Sequence, residues 1–188
     1  MTNTPPQLIT RPHDAAGLHH HRDALLAVYR KVYADKLDNP FFTVDRFWER
    51  LERYGTNDGF SLITGHLEDE LVGYTLGYTL ARGARWWQGF RGDVNPGVLE
   101  EDGTRTFAIN ELMVLPAHRR QGYAHALHDA LLADRPEQRA TLLVRPDNIP
   151  ARTAYLKWGW YILGKLQPFN DAPVYEALML QLKDATAD

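Results

Sequence analysis

The sequence predicts an α/β domain built around a mixed sheet, and three observations carry that prediction. Apolar residues recur at helical spacing through residues 14 to 54. Residues 71 to 80 alternate strictly between large and small side chains. From residue 105 onward the chain reads β-α-β-α-β-β, with turn residues between the segments.

The elements follow in order. Residues 1 to 12 are Pro-rich and polar, a tail or a short edge strand around Leu8 and Ile9. Between Asp14 and Ala34, Leu25, Val28, Tyr29 and Val32 form an apolar stripe opposite Asp23, Arg30 and Lys31, the pattern of an amphipathic helix. Asn39-Pro40 breaks the chain. A second helix starts at Thr43 as N-cap, carries Val44, Phe47, Trp48, Leu51 and Tyr54 at steps of three and four, and stops at Gly55. Phe60 to Leu67 and Leu71 to Leu80 flank Glu68-Asp69-Glu70 and read as an antiparallel hairpin. Gly65, Gly73 and Gly77 weaken isolated strands, so they point to close approach by another backbone or helix. Strands are then predicted over 105–115, 141–144, 161–166 and 174–182, with helices over 120–134 and 149–158. Residues 81 to 104 have no period, yet they hold Trp86, Trp87 and Phe90. Such a loop is a lid, a binding loop or an extra short element.

Composition bounds the rest. The 188 residues suit one domain, read here as spanning 1–188, and 44% hydrophobic with 11% aromatic residues supplies a core. A net charge of −3 leaves no footprint for nucleic acid or anionic lipid. With 0 Cys, disulfide scaffolds, Cys-based zinc sites and Cys nucleophiles disappear together. The N-terminus lacks a signal-peptide pattern, and no run reaches the roughly 18 apolar residues of a membrane span. The expectation is a soluble cytoplasmic protein without a membrane or nucleic-acid partner. A homodimer through the C-terminal strand is compatible with the pattern but not required by it.

Two segments carry chemistry. In Val114-Leu115-Pro116-Ala117-His118-Arg119-Arg120-Gln121-Gly122-Tyr123-Ala124, a strand ends at a proline and a helix begins within a few residues. Unbonded N–H groups at a helix start, with no Cβ at Gly122, suit a phosphate or pyrophosphate. The alternative is a glycine needed only for packing and a solvated basic rim. Neither G-x-x-x-x-G-K-[ST] nor G-x-G-x-x-G is present, which disfavours nucleotide phosphotransfer. The second segment begins with Asn148 as N-cap and Pro150 in the first turn, continues through Ala151, Ala154 and Tyr155, and ends at Trp158-Gly159-Trp160. By spacing alone Tyr155 reads as a core aromatic.

Together the two segments resemble the GCN5-related N-acetyltransferase superfamily. Its pyrophosphate motif, R/Q-x-x-G-x-G/A after a strand ending V-x-P, is matched by Arg119, Gly122 and Ala124 after Val114 and Pro116. Its later Asn, the Tyr seven residues on and the Gly-aromatic pair are matched by Asn148, Tyr155, Gly159 and Trp160. The resemblance covers residues 60 to 182 and implies a mostly antiparallel mixed sheet flanked by helices, opened by a β-bulge into a cleft for acyl-CoA. It further implies acetyl-CoA as co-substrate, no metal, and transfer to an amine by direct attack. Acetyl-CoA is then expected between the strand at Leu112, Met113 and Val114 and the strand near Leu142 to Val144. Backbone groups of Leu112, Met113 and Val114 would pair with the pantetheine arm. N–H groups of Arg120, Gln121, Gly122, Tyr123, Ala124 and His125 would hold the pyrophosphate, with Arg119 adding charge. Asn148 would contact the pantetheine region, Tyr155 would protonate the leaving thiolate, and an N–H near Val114 would polarise the thioester carbonyl.

The amine must arrive uncharged, and Glu111 is the candidate base, a carboxylate among Ile109, Leu112 and Met113. A salt-bridged surface Glu and a water chain stay open beside it. Other residues are weaker candidates. His19, His20 and His21 read as a solvated cluster. His125 and His128, three apart on a helix, make a metal site conceivable, with His125 otherwise a polar residue beside the phosphates. Ser61 is the only serine and has no nucleophile elbow around it. Trp86 and Trp87 are either anchors of the long loop or an aromatic wall. For the acceptor, Phe42, Trp48, Trp86, Trp87, Asp93, Glu100, Glu101 and Asp102 are candidates, with a small-molecule amine expected. The competing expectations are an amine of a protein or peptide, or a non-catalytic acyl-CoA sensor.

Overall fold

A computed structural model describes residues 7–167 and 172–182. The elements are β1 (Ile9–His13), α1 (Ala15–His20), α2 (Arg22–Val32), α3 (Val44–Gly55), β2 (Ser61–Leu67), β3 (Glu70–Thr79), β4 (Thr106–Val114), α4 (Tyr123–Leu132), β5 (Arg139–Val144), α5 (Ile149–Lys157), β6 (Tyr161–Leu166) and β7 (Tyr175–Gln181). The seven strands form one sheet in the order β1-β2-β3-β4-β5-β7-β6. β1 with β2, β2 with β3, β5 with β7 and β6 with β7 are antiparallel, whereas β4 and β5 are parallel and joined through α4. β3 and β4 are antiparallel as well, since Leu115 N donates to Val72 O and Leu80 N to Thr106 O. The expected mixed, mostly antiparallel sheet is the observed one. Register shifts occur at Gly65/His66 in β2 and at Ile162/Gly164 in β6.

The chain forms two compact units. Among the described residues, the first comprises those up to 78 and 111–134, the second 79–110 and those from 135 onward. In the first, α2 and α3 cover one face of β2, β3 and the end of β4. Leu25, Tyr29, Phe47, Leu51, Leu62, Tyr74, Leu76 and Met113 are buried in that core. Most of its stability comes from this apolar burial, about 25 cal/mol per Å² removed from water. Two of the glycines singled out in the sequence have the predicted cause. A Cβ on Gly73 would lie 2.5 Å from the Met113 carbonyl oxygen, and one on Gly65 would lie 3.0 Å from Leu127 of α4.

One expectation changes. The stretch from 14 to 34 is two helices rather than one. Asp14 caps α1 by accepting from Gly17 N, and the chain breaks at His21, whose φ of −92° and ψ of 8° end one helix and begin the next. The N-terminal segment supplies an edge strand, β1, hydrogen-bonded to β2. Residues 1–6 lie outside the described ones. Among the described residues no helix is long and apolar enough to cross a membrane.

Candidate active site

In the first unit, β4 runs out at Val114 and a single 3-10 turn, Pro116–His118, leads toward α4. Arg120 and Gly122 both have left-handed φ, 61° and 84°, and this double reversal sets Gly122 as the N-cap of α4. A helix start leaves its first N–H groups without intrahelical acceptors and carries the positive end of the dipole. A Cβ on Gly122 would meet nothing within 4 Å, so the space beside it is open and only the backbone conformation demands glycine. The Arg119 side chain bends back, its Nε donating to Val114 O at 3.3 Å. The loop is thereby tied to the strand end. Tyr123 is buried, Gln121 and Ala124 are half-buried, and Arg119, Arg120, Gly122 and His125 are exposed. The structure therefore brings Leu112, Met113, Val114 and the segment Arg119–His125 together on one unit.

Glu111 lies on the same unit, in β4, where Thr75 Oγ1 donates to its backbone carbonyl at 2.9 Å. Its side chain shares a face of the sheet with Met113 and Leu115, the face that α2 and α3 cover. The carboxyl is desolvated there, and burial pushes its pKa up to about 7 against the opposing pull of the Arg50 guanidinium. Its charge acts on two tyrosines. Tyr29 stacks on Phe47 with ring centroids 3.7 Å apart and donates its hydroxyl to Phe42 O at 2.9 Å. Burial raises its pKa to about 12. Tyr74 is wholly buried, its hydroxyl has no hydrogen-bond partner among the described residues, and its pKa lies well above the ordinary value through burial and then the nearby Glu111. Tyr33 adds to the same field. Arg50, Tyr29 and Tyr74 were not among the sequence candidates. The sequence marks Tyr29 and Tyr74 only as core residues, and nothing local in it sets them beside Glu111.

The second unit carries Asn148 and Tyr155. Asn148 caps α5, its Oδ1 accepting from Ala151 N at 3.4 Å, with Pro150 in the first turn as predicted. That oxygen already serves the backbone. The Tyr155 ring is buried and meets Trp158 and Trp160 edge-on, with centroids 5.4 and 5.9 Å away. Two of the acidic residues expected to contribute to the acceptor side turn out to be structural. Glu101 is buried, accepts from Trp87 Nε1 at 2.9 Å and pairs with Arg139 Nη2 at 3.1 Å. Asp102 holds a turn by accepting from Thr104 N at 2.8 Å. Arg139 also donates to Val98 O and Thr106 Oγ1, so one buried guanidinium fastens residues 98 and 101 to β4. The long segment is pinned, with Trp87 as its anchor.

On α4, His125, His128 and Asp129 offer ligand atoms within 4.8 Å of one another. The spacing of the two histidines in the sequence does not bring in the aspartate. Asp129 Oδ1 lies 3.4 Å from His125 Nε2 and 2.9 Å from His128 Nδ1. Burial lowers the His128 pKa, and Asp129 pulls it back up. His19, His20 and His21 contact other rings: His19 meets Trp48 at 5.7 Å, and His21 meets His13 at 4.4 Å and His20 at 4.9 Å.

Comparison with known proteins bears on the family and the fold. The model of the Acetyltransferase (GNAT) family matches residues 23–160. No curated protein matches the sequence. Among solved structures, PH1933 from Pyrococcus horikoshii OT3 is similar at a TM-score of 0.66 and 15% identity, over 93% of this chain and 98% of that one. The ribosomal-protein-S18-alanine N-acetyltransferase from Escherichia coli is similar at 0.64 and 12%, over 96% and 97%. The PaiA N-acetyltransferase from Thermoplasma acidophilum, in complex with coenzyme A, is similar at 0.57 and 10%, over 93% and 99%. At these identities the likeness is one of fold.

Proposed function

The chain belongs to the acetyltransferase (GNAT) family, and from that premise we propose that it transfers an acetyl group from acetyl-CoA to a primary amine of a small molecule by direct attack. The observation that supports this reading best is Glu111, a carboxyl whose pKa is raised by burial to about 7. A free ammonium has a pKa near 10 and cannot attack until it loses a proton. A base poised near 7 is half-ionised at neutral pH and matched to that task. The helices α2 and α3, which cover this face of the sheet, favour a small acceptor over an extended peptide. The amine nitrogen gives its proton to Glu111 and its electron pair to the thioester carbon. The C–S bond then breaks, and the thiolate takes a proton.

The chain's other residues have roles consistent with this. The α4 N-terminus after Gly122 suits the pyrophosphate, with Arg119 and Arg120 adding positive charge. The family motif assigns Asn148 to the pantetheine arm and Tyr155 to the departing thiolate. The chain has 0 Cys, so thiol release can be followed without background from the protein. In that assay, kcat/KM is expected to rise with pH through about 7. Glu111→Gln is expected to abolish this limb and lower turnover by about 10²-fold or more, with acetyl-CoA affinity by calorimetry unchanged. Tyr155→Phe is expected to lower turnover far more than affinity. Acetyl-CoA binding with no thiol release on any amine would favour a sensor, and preference for peptide amines would move the acceptor to proteins.

A further inference from the structure

Helix α4 carries three side chains that acetyl transfer does not use. His125, His128 and Asp129 stand at positions i, i+3 and i+4, a spacing that gathers side chains over one stretch of a helix surface. His125 Nε2 lies 3.4 Å from Asp129 Oδ1, His128 Nδ1 lies 2.9 Å from the same oxygen, and the three ligand atoms all fall within 4.8 Å of one another. Among the described residues no other set of three His, Asp or Glu side chains converges in this way. The longer histidine run at 19–21 does not, because His19 turns to Trp48 and His21 to His13 and His20.

The convergence has the dimensions of a metal site. Zn²⁺ binds imidazole nitrogen at about 2.0–2.1 Å and carboxylate oxygen at about 2.0–2.2 Å, which sets neighbouring tetrahedral ligands about 3.3–3.5 Å apart. The His125–Asp129 pair already has that spacing, and the closer His128–Asp129 pair opens to it when the ion replaces the hydrogen bond between them. The three residues differ in burial. His128 is buried, so the packing of α4 fixes its ring, whereas His125 and Asp129 are exposed and leave the site open to solvent. One fixed ligand and two at the surface can take up an ion without unfolding the helix. Two imidazoles and one carboxylate favour a borderline ion such as Zn²⁺ over Mg²⁺ or Ca²⁺, which select oxygen ligands.

We propose that His125, His128 and Asp129 form a Zn²⁺-binding site on α4, with water completing the coordination. The site is separate from the acetyl-transfer chemistry. The His125 backbone belongs to the segment proposed for the pyrophosphate, but its ring reaches along the helix to Asp129, one turn on. An ion held there ties two turns of α4 together and binds the folded chain in preference to the unfolded one, so Zn²⁺ raises the melting temperature.

The test uses the full chain, stripped of metal with a chelator and then dialysed. Calorimetric titration with Zn²⁺ is expected to show one ion per chain with a micromolar Kd, and titration with Mg²⁺ no binding. Co²⁺ in place of Zn²⁺ is expected to give the intense visible bands of a four-coordinate site. Asp129→Asn removes an exposed ligand without disturbing the core, and it is expected to weaken Zn²⁺ binding by about tenfold or more and to abolish the rise in melting temperature. His128→Gln should do the same. The double variant His20→Gln, His21→Gln alters the other histidine cluster and should leave the affinity unchanged. Zn²⁺ binding no tighter than millimolar would overturn the proposal. So would Asp129→Asn and His128→Gln variants that bind as tightly as the parent chain, or binding that is lost with His20 and His21 instead.

Discussion

At the residue scale the most informative group is the Tyr74 hydroxyl. A buried hydroxyl without a partner costs about 1–3 kcal/mol of desolvation, a cost the fold recovers nowhere else. Its ring is fully enclosed in the core of the first unit, so the hydroxyl could be removed without opening a cavity. Tyr74→Phe is therefore expected to raise the melting temperature, by about 2–4 °C per kcal/mol recovered, while lowering acetyl transfer because Glu111 loses a polar neighbour. A fall in melting temperature would show that the hydroxyl is satisfied in solution and would remove it from the argument. The sequence carried part of this site and not the rest. Glu111 was legible because a carboxylate between Asn110 and Leu112 in an apolar strand is anomalous. Tyr29, Arg50 and Tyr74 were not, since each is an ordinary residue of its own element and acquires meaning only through contacts between distant parts of the chain.

At the scale of elements, regular periodicity was legible and long-range fastening was not. The hairpin, α3, the Gly122 turn and the capped α5 all follow from local chemistry, and each lies within a few residues of its predicted bounds. The break at His21 is invisible to the apolar stripe, which runs on through both helices. Residues 81 to 104 were recognisable as aperiodic, but the residue that pins them, Arg139, sits in β5 some 40 positions away. Its side chain and that of Glu101 are almost wholly buried, 6% and 1% exposed. Arg139→Met leaves Glu101 as a buried charge held only by Trp87, which is expected to cost about 3–5 kcal/mol in chemical denaturation. Adding Glu101→Leu should recover part of that loss, since the buried charge is gone although Trp87 Nε1 then lacks its acceptor. A single variant losing less than about 1 kcal/mol would mean that the aromatic residues alone hold the segment.

For the whole molecule, the histidines make stability depend on pH in a definite direction. Burial and mutual repulsion lower the pKa values of His13, His21 and His66, and burial lowers that of His128. Thr64 Oγ1 lies 2.9 Å from His13 Nε2 and 3.1 Å from His66 Nε2, so two of these rings share one hydroxyl, and the pull of Asp14 on His13 and of Asp69 on His66 is outweighed by burial and neighbouring cationic groups. A histidine with a depressed folded pKa binds fewer protons folded than unfolded. Its contribution is complete above the unfolded value near 6.5 and is lost as pH falls through the folded value. Glu111 opposes this. Its raised pKa gives a contribution that is complete below the unfolded carboxyl value and is lost as pH rises through about 7. Four histidines act against one carboxyl, so the melting temperature is expected to fall steadily from pH 7 to pH 5. Glu111→Gln removes the opposing contribution and should steepen that fall, whereas His66→Gln should shallow it by deleting one proton acceptor of the unfolded chain. A melting temperature that holds constant or rises on acidification would show that these rings are freely solvated and that the shared Thr64 contact does not form.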